Sequence, residues 1–134
     1  MRKILAAVSV VVLGACQAAP GGQAVRTAGA AGQDLMAGTS WSFTVPNAGE
    51  VIATFGTDGR YYDLNRGKII ESGTFVTTGG QVCEDVDATP TKDNLCWTVP
   101  ATLPPVGGTI TTTSNKGLTL RATRLAFRGN RTGS

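Results

Sequence analysis

From residue 39 to residue 124 the chain consists of short apolar runs that alternate with polar residues and are broken by glycine, proline, asparagine or aspartate. No stretch of that region repeats at the 3.6-residue period of a helix. An alternation of period two sends successive side chains to opposite faces, which is the pattern of half-buried strands. Strands are predicted over residues 40–45, 50–55, 60–64, 68–77, 81–84, 95–99, 109–113 and 118–124. Eight such runs at a spacing of roughly ten residues predict an all-β fold over residues 39–125, a small antiparallel up-and-down barrel or sandwich. With about 90 residues to build it, side chains are expected to fill the interior.

The clearest join is Asp58-Gly59, a pair suited to a two-residue hairpin turn with positive φ at both positions. A turn there pairs Thr57 with Arg60, Phe55 with Tyr62 and Ala53 with Leu64. Val51, Ala53, Phe55, Tyr62 and Leu64 then share the core face, and Thr54 and Asp63 share the outer one. Trp41, Phe43, Phe55, Tyr62, Phe75 and Trp97 are expected in the core, whereas Tyr61 faces out. Gly79-Gly80 and Asn115-Lys116-Gly117 mark two further turns. Leu95, Trp97 and Val99 point inward, as does Val82, so Cys96 and Cys83 both point outward from neighbouring strands.

The segment before the strands is of another kind. It opens MRKILAAVSVVVLGAC: cations at Arg2 and Lys3, an apolar run over residues 4–13, then small residues leading to Cys16. That is the layout of a secretory signal. Residues 4–15 are too few for a membrane span, which needs about 20 apolar residues. Leu13-Gly14-Ala15-Cys16 resembles the lipobox of bacterial lipoproteins. The resemblance implies that residues 1–15 are a signal peptide removed on export, and that Cys16 carries a diacylglycerol and an amide-linked acyl chain. Gln17 rather than Asp follows, which in that class points to the outer membrane. Residues 16–38, rich in Ala, Gly and Gln, read as a lipidated, disordered tether.

Removing residues 1–15 of 134 leaves 119, enough for one domain. Without Arg2 and Lys3, ten cations face nine acids, so the basic pI of the whole chain is no nucleic-acid footprint. With Cys16 lipidated, Cys83 and Cys96 remain for each other, and an exported protein makes a disulfide their default state. The chain has no histidine, which removes Ser-His-Asp and Cys-His catalysis. Two cysteines without histidine cannot make a four-ligand zinc site. Glu50, Asp63 and Glu71 lie in or beside strands, but nothing in their spacing fixes a catalytic pair. Glu84, Asp85, Asp87 and Asp93 cluster in one predicted loop. They lack the Asp-x-Asp-x-Asp-Gly spacing of a calcium loop and read as solvated. Arg121, Arg124, Arg128 and Arg131 stand without an acid among them. Residues 126–134 lose the alternation and are expected to fray as a basic tail.

Gly38-Thr39-Ser40-Trp41 with Arg121 and Arg124 resembles small calycin-type barrels, in which a first-strand Trp stacks on a last-strand Arg. In that family the Gly and Trp stand one residue closer. The whole layout is similar to small bacterial outer-membrane lipoproteins: Cys16, a Gly-rich tether, Trp41, Cys83 and Cys96, and a closing Gly-x-x-Leu-x-x-x-Arg over residues 117–124. Some proteins of that layout inhibit proteases. These resemblances imply a lipid-anchored, non-enzymatic envelope protein with a structural or binding β-domain, or alternatively a protease inhibitor. No cofactor, metal or catalytic residue is expected. The expected partners are the membrane, through the lipid, and a protein, a protease being one candidate. A small-molecule carrier would need an open apolar cavity. The anchor is testable: Cys16→Ser should abolish palmitate labelling and leave the leader uncleaved or the chain soluble, and normal labelling of that variant would refute the site.

Overall fold

The computed structural model describes residues 34–88 and 94–131. Cys16, the leader and most of the expected tether lie outside the described residues. Eight strands follow in order: β1 (Thr39–Val45), β2 (Gly49–Phe55), β3 (Arg60–Asn65), β4 (Lys68–Thr78), β5 (Gln81–Val86), β6 (Leu95–Thr98), β7 (Thr109–Thr113) and β8 (Thr119–Leu125). They form one antiparallel sheet in the order β6-β5-β4-β3-β2-β1-β8-β7. Consecutive strands pair from β1 to β6 and again from β7 to β8, while β1 pairs with β8. The fold is therefore an up-and-down meander curled into a nearly closed barrel.

The seam between β6 and β7 is closed mainly by side chains. A single ladder bridge joins Trp97 and Ser114. Thr112 Oγ1 donates to the Thr98 carbonyl at 2.7 Å, and the Thr113 N–H donates to Thr98 Oγ1 at 3.0 Å. Asn115 donates its backbone N–H to the Cys96 carbonyl at 2.9 Å and accepts the Cys96 N–H on Oδ1 at 3.1 Å. Short polar side chains thus satisfy edge groups that would otherwise invite pairing with another chain.

The β2–β3 hairpin differs from its expected form. Phe55 pairs with Tyr61, Thr54 with Tyr62 and Ala53 with Asp63, one residue away from the register a two-residue turn would set. Among the described residues only Asn47 and Arg66 combine a side chain with a positive φ, so Asp58 does not adopt the conformation such a turn demands at both central positions. The loop instead spans residues 56–59. The Gly56 N–H closes it on the Arg60 carbonyl at 2.7 Å, and Asp58 Oδ1 accepts the Arg60 N–H at 3.1 Å. A Cβ at position 56 would stand 2.4 Å from that Asp58 oxygen and 3.0 Å from the Arg60 carbonyl oxygen, so a larger residue there would displace the Asp58 side chain from the turn. Two-residue turns do occur at Arg66-Gly67 and Gly79-Gly80, where both residues have positive φ.

A slip of one residue exchanges the faces of a strand. Tyr61, expected outside, is 1% exposed and belongs to the core. Asp63, also expected outside, points inward beside it. Tyr62 is buried on the opposite face, beneath the C-terminal segment. The core is built from Met36, Trp41, Ala53, Phe55, Tyr61, Phe75, Val82, Val99 and Ala122. Phe55 meets Phe75 edge to face, with centroids 5.0 Å apart. Each large side chain so buried contributes about 1.5–3 kcal/mol.

Both boundaries of the folded part also depart from expectation. Met36, assigned to the tether, is 3% exposed in the core. Its carbonyl accepts from Thr39 Oγ1 at 2.7 Å, and the Gly38 N–H donates to the Phe55 carbonyl at 2.7 Å. Residues 126–131 are held by hydrogen bonds rather than frayed, and residues 132–134 of the expected tail lie outside the described residues. The Arg128 N–H donates to Ser40 Oγ at 3.0 Å, the Tyr62 hydroxyl to the Gly129 carbonyl at 2.9 Å, and Asn130 holds the Thr57 backbone at 2.8 Å. These polar anchors carry no period, and they bury Ser40 and Thr54 on the outer face of β1 and β2.

Cys83 and Cys96 stand directly opposite each other on β5 and β6, with Cα atoms 4.0 Å apart, and are joined as a disulfide. With a sequence separation of 13, the bridge stabilises the chain by about 3 kcal/mol through the unfolded state. It follows that Cys83→Ser with Cys96→Ser lowers the calorimetric melting temperature by more than about 10 °C. An unchanged midpoint would show that the bridge contributes nothing.

Candidate functional site

The barrel encloses a cavity of about 140 Å³. The expectation of a filled interior fails because the wall carries small side chains where the strands converge: Ala53 on β2, Val82 on β5, Thr112 on β7 and Ala122 on β8. Eight strands make a barrel just wide enough to leave such a space. Met36 and Trp41 form part of the lining, and Val45 and Leu118 form another part. Leu118 is 43% exposed, so the space reaches the surface beside the turn that precedes β8.

Three carboxyl groups interrupt this apolar wall: Asp63 on β3, Glu71 on β4 and Glu84 on β5. Asp63 and Glu71 are ladder partners on the inner face, in step with Tyr61 and Gly73, and a bulge after Asp63 leaves Ile70 without a partner. Tyr61 reaches Glu71 along the same wall, its hydroxyl donating to Glu71 Oε1 at 3.0 Å. The Tyr61 ring can lie there because its ladder partner is Gly73, where a Cβ would stand 2.9 Å from the ring. Glu84 is 5% exposed and accepts from the Trp97 indole N–H at 3.3 Å. Asp63 Oδ1 is fully buried with no hydrogen-bond partner.

Burial without a nearby cation sets the electrostatics. Removal from water pushes the Asp63 carboxyl up to about 7, and the neighbouring charge of Glu71 adds to the effect. Glu84 is raised to about 8, first by burial and then by Asp63 and Glu71, with the Trp97 hydrogen bond opposing. The Tyr61 hydroxyl holds its proton far more tightly than usual, chiefly through burial and then through Glu84 and Glu71. On the outside, Asp87 pairs with Arg60, which lowers its carboxyl, and also accepts from Ser72.

Of the residues singled out in the sequence, Asp63 and Glu71 come together, whereas Glu50 stays on the surface as an acceptor for Ser42. Glu84, assigned to a solvated acidic loop, is an inward residue of β5; residues 89–93 of that loop lie outside the described residues. Its signal was present in the alternation, since Val82 and Glu84 must share a face. Arg124 is the ladder partner of Trp41 and donates to the Pro104 carbonyl at 2.7 Å. Among the described residues, no three Cys, Asp or Glu side chains are grouped so as to hold a metal ion. No family model, curated protein or solved structure matches the chain.

The raised carboxyls make stability depend on pH. Between their ordinary values of 3.8 and 4.5 and their folded values of about 7 and 8, the folded chain binds more protons than the unfolded one. Stability is therefore full in acid and falls as pH rises through that window, by roughly 3 kcal/mol or more in all. Thermal unfolding should show a melting temperature that declines from pH 4.5 to pH 8.5. Asp63→Asn with Glu84→Gln should flatten that decline, and an equal decline in the variant would contradict the assignment.

Proposed function

We propose that this chain is a lipid-anchored protein of the bacterial outer membrane whose barrel binds a small ligand without altering it chemically. The observation that carries the reading is the cavity of about 140 Å³, apolar over most of its wall, polar at one pole and open beside Leu118. Small-molecule sites are concave and mostly apolar, with a few placed polar groups. Attachment rests on the order Arg2-Lys3, apolar run, Leu13-Gly14-Ala15-Cys16. The lipid would hold the barrel at the membrane.

The reading assigns the cavity groups to binding rather than to chemistry. Tyr61 already donates to Glu71 and holds its proton tightly, so it serves neither as acid nor as nucleophile at neutral pH. Their value lies in binding: fixed polar groups on a rigid wall orient a ligand without reorganising.

The experiment is a titration of the exported chain carrying Cys16→Ser with benzyl alcohol. A dry engineered cavity of ~150 Å³ accepts benzene, so a benzene-sized probe is the right scale. Trp41 and Trp97 line the space, so saturable change in tryptophan fluorescence is expected. A melting temperature that climbs with probe concentration should accompany it. No change in either signal up to the solubility limit would overturn the reading. Stoichiometric loss of activity in a protease panel mixed with the same chain would instead place the function in inhibition.

A further inference from the structure

The interior is asymmetric in charge as well as in polarity. The cavity lining contains three acids and no lysine or arginine, and the chain contains no histidine. The titratable groups facing one another are Tyr61 and Asp63 from β3, Glu71 from β4 and Glu84 from β5. Of the other strands, β8 carries Arg124 as the partner of Trp41, but its guanidinium donates to the Pro104 carbonyl and does not line the cavity. Such groups are ordinarily paired when buried. Here the pairing is incomplete in two places. Asp63 Oδ1 is sealed from solvent yet accepts no hydrogen bond. Glu84, itself 5% exposed, meets only the Trp97 indole among the described residues. A metal is not the natural occupant, because the acids are not grouped as a ligand set.

Resting on the cavity reading above, we propose that the ligand is a small primary amine with an apolar body, its ammonium seated against Asp63, where Glu71 and Glu84 add negative charge, and its body among Trp41, Phe55 and Ala122. An ammonium supplies three N–H donors and one positive charge, which matches the unpaired acceptors and the uncompensated acids. The apolar part then fills the dry end of the space. Charge-assisted hydrogen bonds of this kind are about twice as strong as neutral ones, so the amine is preferred over an alcohol of the same shape. The raised carboxyls add a pH dependence. In acid Asp63 and Glu84 are neutral and the ammonium gains little; as the pH rises through about 7 and then about 8 they ionise in turn and bind it.

Benzylamine, benzyl alcohol and benzoate share one shape and differ in the head group, so they separate this inference from the cavity reading. Titrations of the exported chain carrying Cys16→Ser at pH 8 should give benzylamine at least roughly tenfold tighter than benzyl alcohol, with benzoate weakest. Benzylamine affinity should fall at pH 5 while that of benzyl alcohol holds. Asp63→Asn with Glu84→Gln should remove the tenfold preference, and a cooperative thermal transition of the variant shows that it folds. Equal binding of amine and alcohol, or a preference that survives the double substitution, overturns the inference and leaves the cavity reading standing. If none of the three probes binds, both fall together. Should the double variant not fold, Glu84→Gln alone, whose amide still accepts the Trp97 N–H, must cut the preference for the amine.

Discussion

The register of the β2–β3 hairpin governs what kind of interior this barrel has. Because side chains alternate with period two, the four-residue loop over 56–59 decides whether Tyr61 and Asp63 enter the barrel or leave it. With Gly56 closing on Arg60, both enter, and Tyr62 moves out to where the C-terminal segment covers it. The place of Asp63 among the inner acids follows from that register. Glu71 meets Asp63 across the β3–β4 ladder, and Tyr61 lies over Gly73 to reach Glu71. A side chain at position 56 would press on Asp58 and the Arg60 carbonyl, so the turn that sets this register is tuned to a glycine.

An interior of this kind opposes stability. Three carboxyls without a cation lower the margin of a domain whose whole stability is only about 5–15 kcal/mol. The fold compensates elsewhere. The Cys83–Cys96 bridge ties β5, which carries Glu84, to β6, which carries Trp97. The Thr98–Thr112 and Asn115–Cys96 hydrogen bonds hold the seam that the ladder leaves nearly open. Residues 126–131 bind down across β1–β3 through Ser40, Tyr62 and Thr57. Each device acts from the outside or the seam, so none of them occupies the cavity. A protein selected for stability alone would replace Asp63 and Glu84 with apolar side chains, since isosteric apolar packing is often better than buried charge.

How far the sequence could be read follows from which interactions are local. All eight strands were legible, because alternation and turn residues are written in neighbouring positions. The disulfide was legible too, because Val82 and Trp97 fix the outward direction of Cys83 and Cys96. The inward position of Tyr61 was not, because Asp58-Gly59 is a strong turn signal on its own and the competing role of Gly56 depends on a carbonyl four residues away. The cavity was illegible for a different reason. Its emptiness is set by the joint volume of Ala53, Val82, Thr112 and Ala122, which come from four strands. The C-terminal segment was misread because single hydrogen bonds spanning 67 to 88 residues leave no periodic trace.

The same distinction bears on whether the action of the molecule lies in its loops or in its interior. A loop that recognises a partner needs an exposed anchor, and exposed apolar residues here are scattered: Ile69 and Ile70 on one strand, Val106 in the Pro-rich connection, Phe127 on the C-terminal segment. Scattered exposure is the ordinary condition of a protein surface. The interior is not ordinary. Buried acids without a cation beside them hold their protons, so a ligand of positive charge is favoured only once the pH rises far enough to ionise them. A wall that is rigid, apolar and charged at one pole gains selectivity from the penalty it imposes on ligands lacking the matching group, since these would leave Asp63 and Glu84 as badly satisfied as before.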